Sequence, residues 1–221
     1  MLHSTSIFQP RSSRHSPQQA DADDAIVLAD IAEVLPGLTL RGPDAGLSSP
    51  DGNFHLLRIG DVAGNGIIQC AETSPIKLEP EQAEKYRLAP RDVLLANRGA
   101  RIIAGLFQCP FPTVAGNQFY IIRARTETIL PEYLLWFLNL DSTRQALLGE
   151  ARGSALQSIP VSAVRTLPVP VPPLSVQARI VAISDLQREE ADVVTRILSR
   201  RSAFVAELLR RAATGTHQPF Q

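Results

Sequence analysis

Asparagine, glutamine, arginine and serine side chains occur together in turns that border apolar runs. They form three groups: Asn97, Arg98 and Arg101; Asn117 and Gln118; and Arg152, Ser154 and Gln157. Amide and guanidinium groups can form paired hydrogen bonds to adenine and guanine edges, and arginine and serine can bind phosphates. Taken singly, each residue is better explained as an exposed loop side chain. Their accumulation in matching turns predicts a surface that binds nucleic acid, with Arg98 and Arg101 as its strongest candidates.

Motifs for catalysis are missing from the sequence. It contains no Gly-x-x-x-x-Gly-Lys-Ser/Thr phosphate loop and no Gly-x-Ser-x-Gly nucleophile turn. Asp92 precedes an apolar run, but Lys77 and Lys85 are poorly spaced for a metal-dependent nuclease, so we interpret Asp92 as a turn residue. We therefore expect a protein that is not an enzyme and that uses no cofactor and no metal ion.

The two cysteines, Cys70 and Cys109, lie far apart in the sequence and form no metal-binding pattern. Disulfides are rare in the cytoplasm. Free cysteine is among the most frequently buried residue types. We therefore expect two buried, reduced thiols and no disulfide.

Composition indicates a globular chain without net charge. The 221 residues include 22 basic and 22 acidic ones, and only Lys77 and Lys85 of the basic set are lysines. A strong nonspecific nucleic-acid binder is usually basic, so the neutral balance argues against that class. No run approaches the roughly 18 to 20 apolar residues that span a bilayer, and residues 1–19 lack an apolar signal segment. The expected location is the cytoplasm, away from membranes.

Apolar patterning predicts an α/β (α+β) body over residues 25–173, preceded by a tail at 1–24. A long helix at 174–212 and a second tail at 213–221 are expected to follow it. Residues 25–34 can begin a strand or a helix, and Asn65-Gly66 is typical of a hairpin turn. Helices are expected to begin at Pro131 and Asp141. Further strands are predicted at 54–59, 92–96, 102–107 and 118–123.

One helical pattern without glycine or proline runs over residues 174–212, after the proline-rich run 167–173. Such a helix would be roughly 58 Å long. One heptad register places six apolar residues on a single seam: Ile180, Ile183, Val194, Ile197, Phe204 and Leu208. The same register also places Gln187, Glu190, Arg201 and Arg211 there. The broken seam favours a short antiparallel or bundle-like coiled coil, and packing on its own domain is the alternative.

Several runs, in this order, resemble the target recognition domain of type I restriction-modification specificity subunits. They are Leu-Arg-Ile-Gly-Asp-Val at 57–62, residues 92–99 and 131–138, Arg-Gly-Ser at 152–154 with Gln-Ser-Ile at 157–159, and the proline-rich exit 167–177. The resemblance implies a recognition domain with a mixed, curved sheet and a coiled-coil spacer helix. It also implies that the chain binds one half of a bipartite site in double-stranded DNA. Methyltransferase subunits, and in complete systems a restriction subunit, would then be partners that carry the chemistry.

A full specificity subunit of that family resembles two recognition domains and two spacer helices, whereas this sequence has one of each. We therefore predict a homodimer through antiparallel helices at 174–212 and a palindromic split DNA site. Two alternatives remain open. The chain could be a stand-alone recognition-domain protein of another phage-defence or regulatory system, binding a protein or DNA without a methyltransferase. It could also be an unrecognised nuclease that depends on Asp92.

Overall fold

The computed structural model describes residues 25–40, 48–63, 66–98, 102–151 and 158–214. It confirms the α/β (α+β) class with a long C-terminal helix. The strands are β1 (Ala25–Val27), β2 (Ala32–Pro36), β3 (Phe54–Leu57), β4 (Ser74–Ile76), β5 (Val93–Ala96), β6 (Ala104–Leu106), β7 (Thr113–Ala115), β8 (Phe119–Ala124) and β9 (Pro168–Pro170). The helices are α1 (Leu28–Ile31), α2 (Pro80–Glu84), α3 (Pro131–Leu138), α4 (Asp141–Gly149), α5 (Val161–Arg165) and α6 (Leu174–Ala213).

A four-stranded antiparallel sheet with the order β2-β8-β5-β6 forms the centre of the domain. Every residue of β5 is fully buried, as its continuous apolar run predicts for a strand covered on both faces. Side chains of β8 alternate between two cores. Phe119 and Ile121 pack in one core, while Tyr120 and Ile122 pack in the other, against α3 and α5. The first residues of β8 are therefore packed on both faces of the sheet.

A second sheet has the order β4-β3-β7, with β3 parallel to β7 and antiparallel to β4. It joins the central sheet where the Leu38 N–H donates to the Ala115 carbonyl at 2.8 Å. The proline-rich exit forms β9, which pairs antiparallel with β1 and buries Val169 completely. Two flanking prolines are tolerated because the strand lies at an edge.

The two segments that flank the predicted hairpin turn pair as expected. Val62 and Ile68 form an antiparallel bridge, and residues 64–65 of the turn lie outside the described residues. Gly66 has a φ of 83°, and a Cβ built there would lie 2.6 Å from the Ala104 carbonyl oxygen. Glycine is required at this position because the left-handed backbone and the close approach both exclude a side chain.

Helix α6 ends at Ala213, one residue beyond its predicted end, and is anchored to the domain only near its start. Gln177 is completely buried, and Ile180 and Val181 pack against the core that contains α3. From Glu189 to Thr214 every residue except Glu207 is exposed. That part of the helix projects roughly 38 Å from the domain. Within the described ranges, no helix is both long enough and apolar enough to cross a membrane.

The expectation for the cysteines is wrong. Cys70 and Cys109 form a disulfide, with their Cα atoms 5.5 Å apart. Cys70 begins a short 3₁₀ turn after the hairpin, and Cys109 follows β6. Both residues pack in the same core, around Phe107 and Phe119. Sequence spacing could not indicate this pairing, because the tertiary packing of two distant segments creates it.

Candidate nucleic-acid interface

Three segments of the chain meet at the beginning of β8. The Asn97 N–H donates to the Gln118 carbonyl at 2.9 Å, and its side-chain Nδ2 donates to the Asn117 carbonyl at 3.2 Å. The Ile159 N–H donates to the Asn97 carbonyl at 3.0 Å. These bonds tie the end of β5, the turn before β8 and the segment before α5 into one structure. We call residues 97–98, 117–118 and 158–159 the loop junction.

The two outer ends of the loop junction also lie side by side. Arg98 and Ser158 form an isolated antiparallel bridge. Arg98 is the residue before segment 99–101, and Ser158 is the residue after segment 152–157. Arg98, from the first predicted group, therefore lies beside Ser158, the residue that follows the third predicted group in sequence.

A fourth segment supports the junction from the second sheet. The Ile59 N–H donates to the Gln118 side-chain oxygen at 3.3 Å. Ile59 belongs to a 3₁₀ turn that Asp61 closes by accepting from the Arg58 N–H at 2.7 Å. The Arg58 guanidinium also donates to the Ser74 hydroxyl at 3.1 Å. The Leu-Arg-Ile-Gly-Asp-Val run thus orients Gln118 through its backbone.

Tyr120 links strand β8 to the junction through its side chain. Its hydroxyl donates to the Ile159 carbonyl at 2.7 Å. Burial raises the pKa of Tyr120 above its ordinary value, and the nearby guanidiniums of Arg98 and Arg165 offset part of that rise. The hydroxyl therefore stays protonated at neutral pH and remains a donor.

The structure places four of the eight predicted nucleic-acid-binding residues in the loop junction. Arg98 is exposed, and Asn117 and Gln118 are half-buried. Asn97 is 4% exposed, and its Oδ1 is buried without a hydrogen-bond partner among the described residues. The other four lie outside the described residues: Arg101, Arg152, Ser154 and Gln157.

Sequence reasoning missed the residues that hold the junction together. Tyr120 was one aromatic residue of the predicted strand 118–123, and Ile159 was the last residue of the Gln-Ser-Ile run, with no contact assigned to either. Arg165 was not singled out, yet its guanidinium donates to the Val34 carbonyl at 3.0 Å on the edge strand β2. Each contact spans dozens of residues, so no local pattern could indicate it.

Asp92 has a structural role that occupies its whole carboxylate. It is 1% exposed, and its oxygens accept from Nε and Nη2 of Arg123 at 2.9 and 2.8 Å. The Ala89 N–H donates to the same carboxylate at 2.8 Å. The hydrogen bond to Asp92 is the main cause that raises the pKa of Arg123. In the described part of the chain, no three His, Cys, Asp or Glu residues are grouped as metal ligands.

The seam residues predicted for α6 fall into two sets. Ile180 is partly buried against its own domain. The other five are exposed to solvent along α6: Ile183, Val194, Ile197, Phe204 and Leu208.

The sequence matches a family model described as the type I restriction modification DNA specificity domain, over residues 26–191. The chain belongs to this family. This is a family of DNA specificity domains and not of catalysts. The resemblance expected from the sequence is confirmed. No curated protein matches the sequence.

Solved structures of specificity subunits share this fold. A chain from a structural study of complex assembly and conformational transition in a type I R-M system superposes with a TM-score of 0.63 at 16% identity. That match covers 90% of the present chain and 46% of the other. The HsdS subunit of Thermoanaerobacter tengcongensis gives 0.55 at 16% identity, with coverages of 85% and 42%. The S subunit from M. genitalium gives 0.54 at 12% identity, with coverages of 85% and 44%. This specificity domain therefore spans less than half the length of each of these chains.

Proposed function

We propose that this specificity domain reads one half of a bipartite DNA site through the loop junction. The observation that carries the proposal is the convergence of three separate segments, 97–98, 117–118 and 158–159, at one end of the central sheet, with Arg98 exposed among them. A rigid sheet that presents several short segments is a general way to hold side chains for recognition. Cytoplasmic DNA is the expected target.

Arg98 has the side chain best suited to contact DNA directly. It is exposed, and its backbone is fixed by the bridge to Ser158. A guanidinium can bind guanine O6 and N7 together, or a phosphate. Asn117 and Gln118 add amide groups beside it, with the Gln118 oxygen already used by Ile59. Among these residues, Arg98 is therefore the one most expected to contact base edges.

The neutral net charge suits a subunit that does not hold DNA alone. Nonspecific affinity for DNA comes mainly from neutralised phosphates, and 22 acidic residues offset the 22 basic ones here. We expect methyltransferase subunits, docked on α6, to supply much of the binding to the DNA backbone. A stand-alone recognition protein would bind its site equally well without a methyltransferase.

Helix α6 carries a surface that fits a second copy of this chain. Ten large apolar side chains on α6 are 37–66% exposed, and we call them the apolar stripe: Ile183, Leu186, Val193, Val194, Ile197, Leu198, Phe204, Val205, Leu208 and Leu209. At about 100° per residue they cover an arc of about 160°. Large apolar side chains exposed together along one face of a helix mark a site of interaction with another protein.

Charged residues within the apolar stripe favour one antiparallel arrangement. A two-fold axis between Thr195 and Arg196 places Glu190 of one copy opposite Arg201 of the other. The same register places Ile197 opposite Val194. The charges that break the stripe thus become an interhelical ion pair, which sets orientation and register in coiled coils. Two copies would together match the length of the longer specificity subunits.

Substituting Arg98 by alanine tests the DNA-reading surface. We expect the affinity for the preferred duplex to fall roughly 10- to 100-fold, because one bidentate base contact contributes about 1–3 kcal/mol. Fluorescence anisotropy with labelled duplexes, in the presence of the methyltransferase subunit, measures the change. Arg87→Ala is the matched control, because Arg87 is an exposed arginine paired only locally with Glu84. Equal losses of affinity for the two variants would mean that Arg98 does not contact the DNA.

A further inference from the structure

We propose that Tyr120 is the positioning residue of the loop junction. Its hydroxyl holds Ile159 and thereby sets where Ser158 lies against Arg98. This inference rests on the proposed function, and it names the side chain that fixes the relative positions of the junction residues. Tyr120 itself contacts no DNA in this account.

The hydroxyl connects the most rigid part of the domain to the junction. Tyr120 is the second residue of β8 and pairs with Leu95 in the fully buried strand β5. Its hydroxyl donates to the Ile159 carbonyl, while the Ile159 N–H donates to the Asn97 carbonyl. The backbone of Ile159 is therefore fixed through both its N–H and its carbonyl group. The Ile159 side chain is only 2% exposed, so its packing in the core restrains the residue as well.

The position of Ile159 determines where Ser158 lies in the junction. Ser158 is adjacent to Ile159 in sequence and bridges Arg98. A shift at Ile159 would therefore move Ser158 and with it the backbone pairing that holds Arg98. Side chains that read base edges need their geometry held to well under an ångström.

A matched pair of variants separates positioning from ordinary structural stabilisation. Tyr120→Phe removes the hydroxyl that holds Ile159 and keeps the ring. Tyr133→Phe removes an equivalent group, because Tyr133 is 2% exposed and its hydroxyl donates to the Pro170 carbonyl at 2.8 Å. Tyr133 lies on α3, and its hydroxyl contacts β9, which is not part of the loop junction. Both variants lose one bond of the same type from a tyrosine to a backbone carbonyl.

The measurement is selection from a pool of random-sequence DNA duplexes by the full chain with its methyltransferase subunit, followed by sequencing. Discrimination against single mismatches in the selected motif is then measured by competition. We expect Tyr120→Phe to reduce that discrimination about tenfold, the amount that one well-placed bidentate contact supplies. Affinity for unrelated duplex should change less than about twofold, since phosphate contacts determine it. Tyr133→Phe should retain the wild-type motif.

The outcomes distinguish this inference from the function on which it rests. Wild-type protein that enriches no motif overturns the proposed function, and this inference with it. Wild-type enrichment with equal discrimination in Tyr120→Phe and Tyr133→Phe overturns the positioning role alone. Tyr120→Phe keeps the aromatic ring in the core, so the variant is expected to fold, and circular dichroism checks this before the selection.

Discussion

Replacing Gln177 by leucine is expected to lower the free energy of unfolding by at least about 3 kcal/mol. The Gln177 side chain is completely buried at the start of α6. Its Oε1 accepts from the Leu130 N–H at 2.9 Å, and its Nε2 donates to the carbonyls of Thr128 and Pro172 at 3.0 and 2.8 Å. Leucine fills a similar volume but leaves three backbone groups without partners, each costing about 1–3 kcal/mol.

Urea denaturation followed by circular dichroism measures this loss. Gln145→Leu is the matched control, because Gln145 is exposed on α4. Exposed substitutions of this kind change stability by less than about 0.5 kcal/mol. The same change in both variants would mean that Gln177 does not anchor the helix to the domain. The anchor matters because it fixes the direction in which the projecting part of α6 leaves the domain.

Reversing the charge of Glu190 is expected to raise the dissociation constant of the homodimer at least about 100-fold. In the proposed antiparallel register, Glu190→Arg places an arginine opposite the partner's Arg201 at two symmetric positions. Like charges facing each other across an interface cost several kcal/mol. Combining Glu190→Arg with Arg201→Glu restores opposite charges, so the double variant should dimerise within about tenfold of the wild type. Sedimentation equilibrium measures the three constants.

Glu189→Arg provides the control for this series. Glu189 is exposed, adjoins Glu190 and lies outside the apolar stripe. The same charge change there should leave the dissociation constant within about threefold of wild type, since surface charges contribute little. If Glu189→Arg and Glu190→Arg weaken the dimer equally, or if the double variant stays monomeric, the antiparallel register is wrong. Such results would favour a different protein as the partner of α6.

Elements with strong local patterns could be predicted from sequence. The continuous apolar run of β5 predicted a doubly covered strand, and all four of its residues are buried. Pro131 marked the first turn of α3, and forty residues without glycine or proline form α6. These predictions are confirmed because the periodicity of apolar residues follows directly from which faces are covered.

Features that depend on distant contacts could not be predicted in the same way. The Tyr120 hydroxyl meets a carbonyl 39 residues away, and the Cys70–Cys109 disulfide joins segments with the same separation. Ile180 satisfied the heptad pattern, yet it packs on its own domain because α6 first crosses α3. Local sequence cannot separate an apolar face that meets its own domain from one that meets a partner.

The most direct measurement is selection of DNA by the wild-type protein, with its methyltransferase subunit, from a pool of random-sequence duplexes. The central claim is that this specificity domain reads DNA sequence through the loop junction as half of a two-fold assembly. It predicts strong enrichment of one motif, consisting of two inverted half-sites at a fixed separation. A selected pool with the same sequence distribution as the input would contradict it.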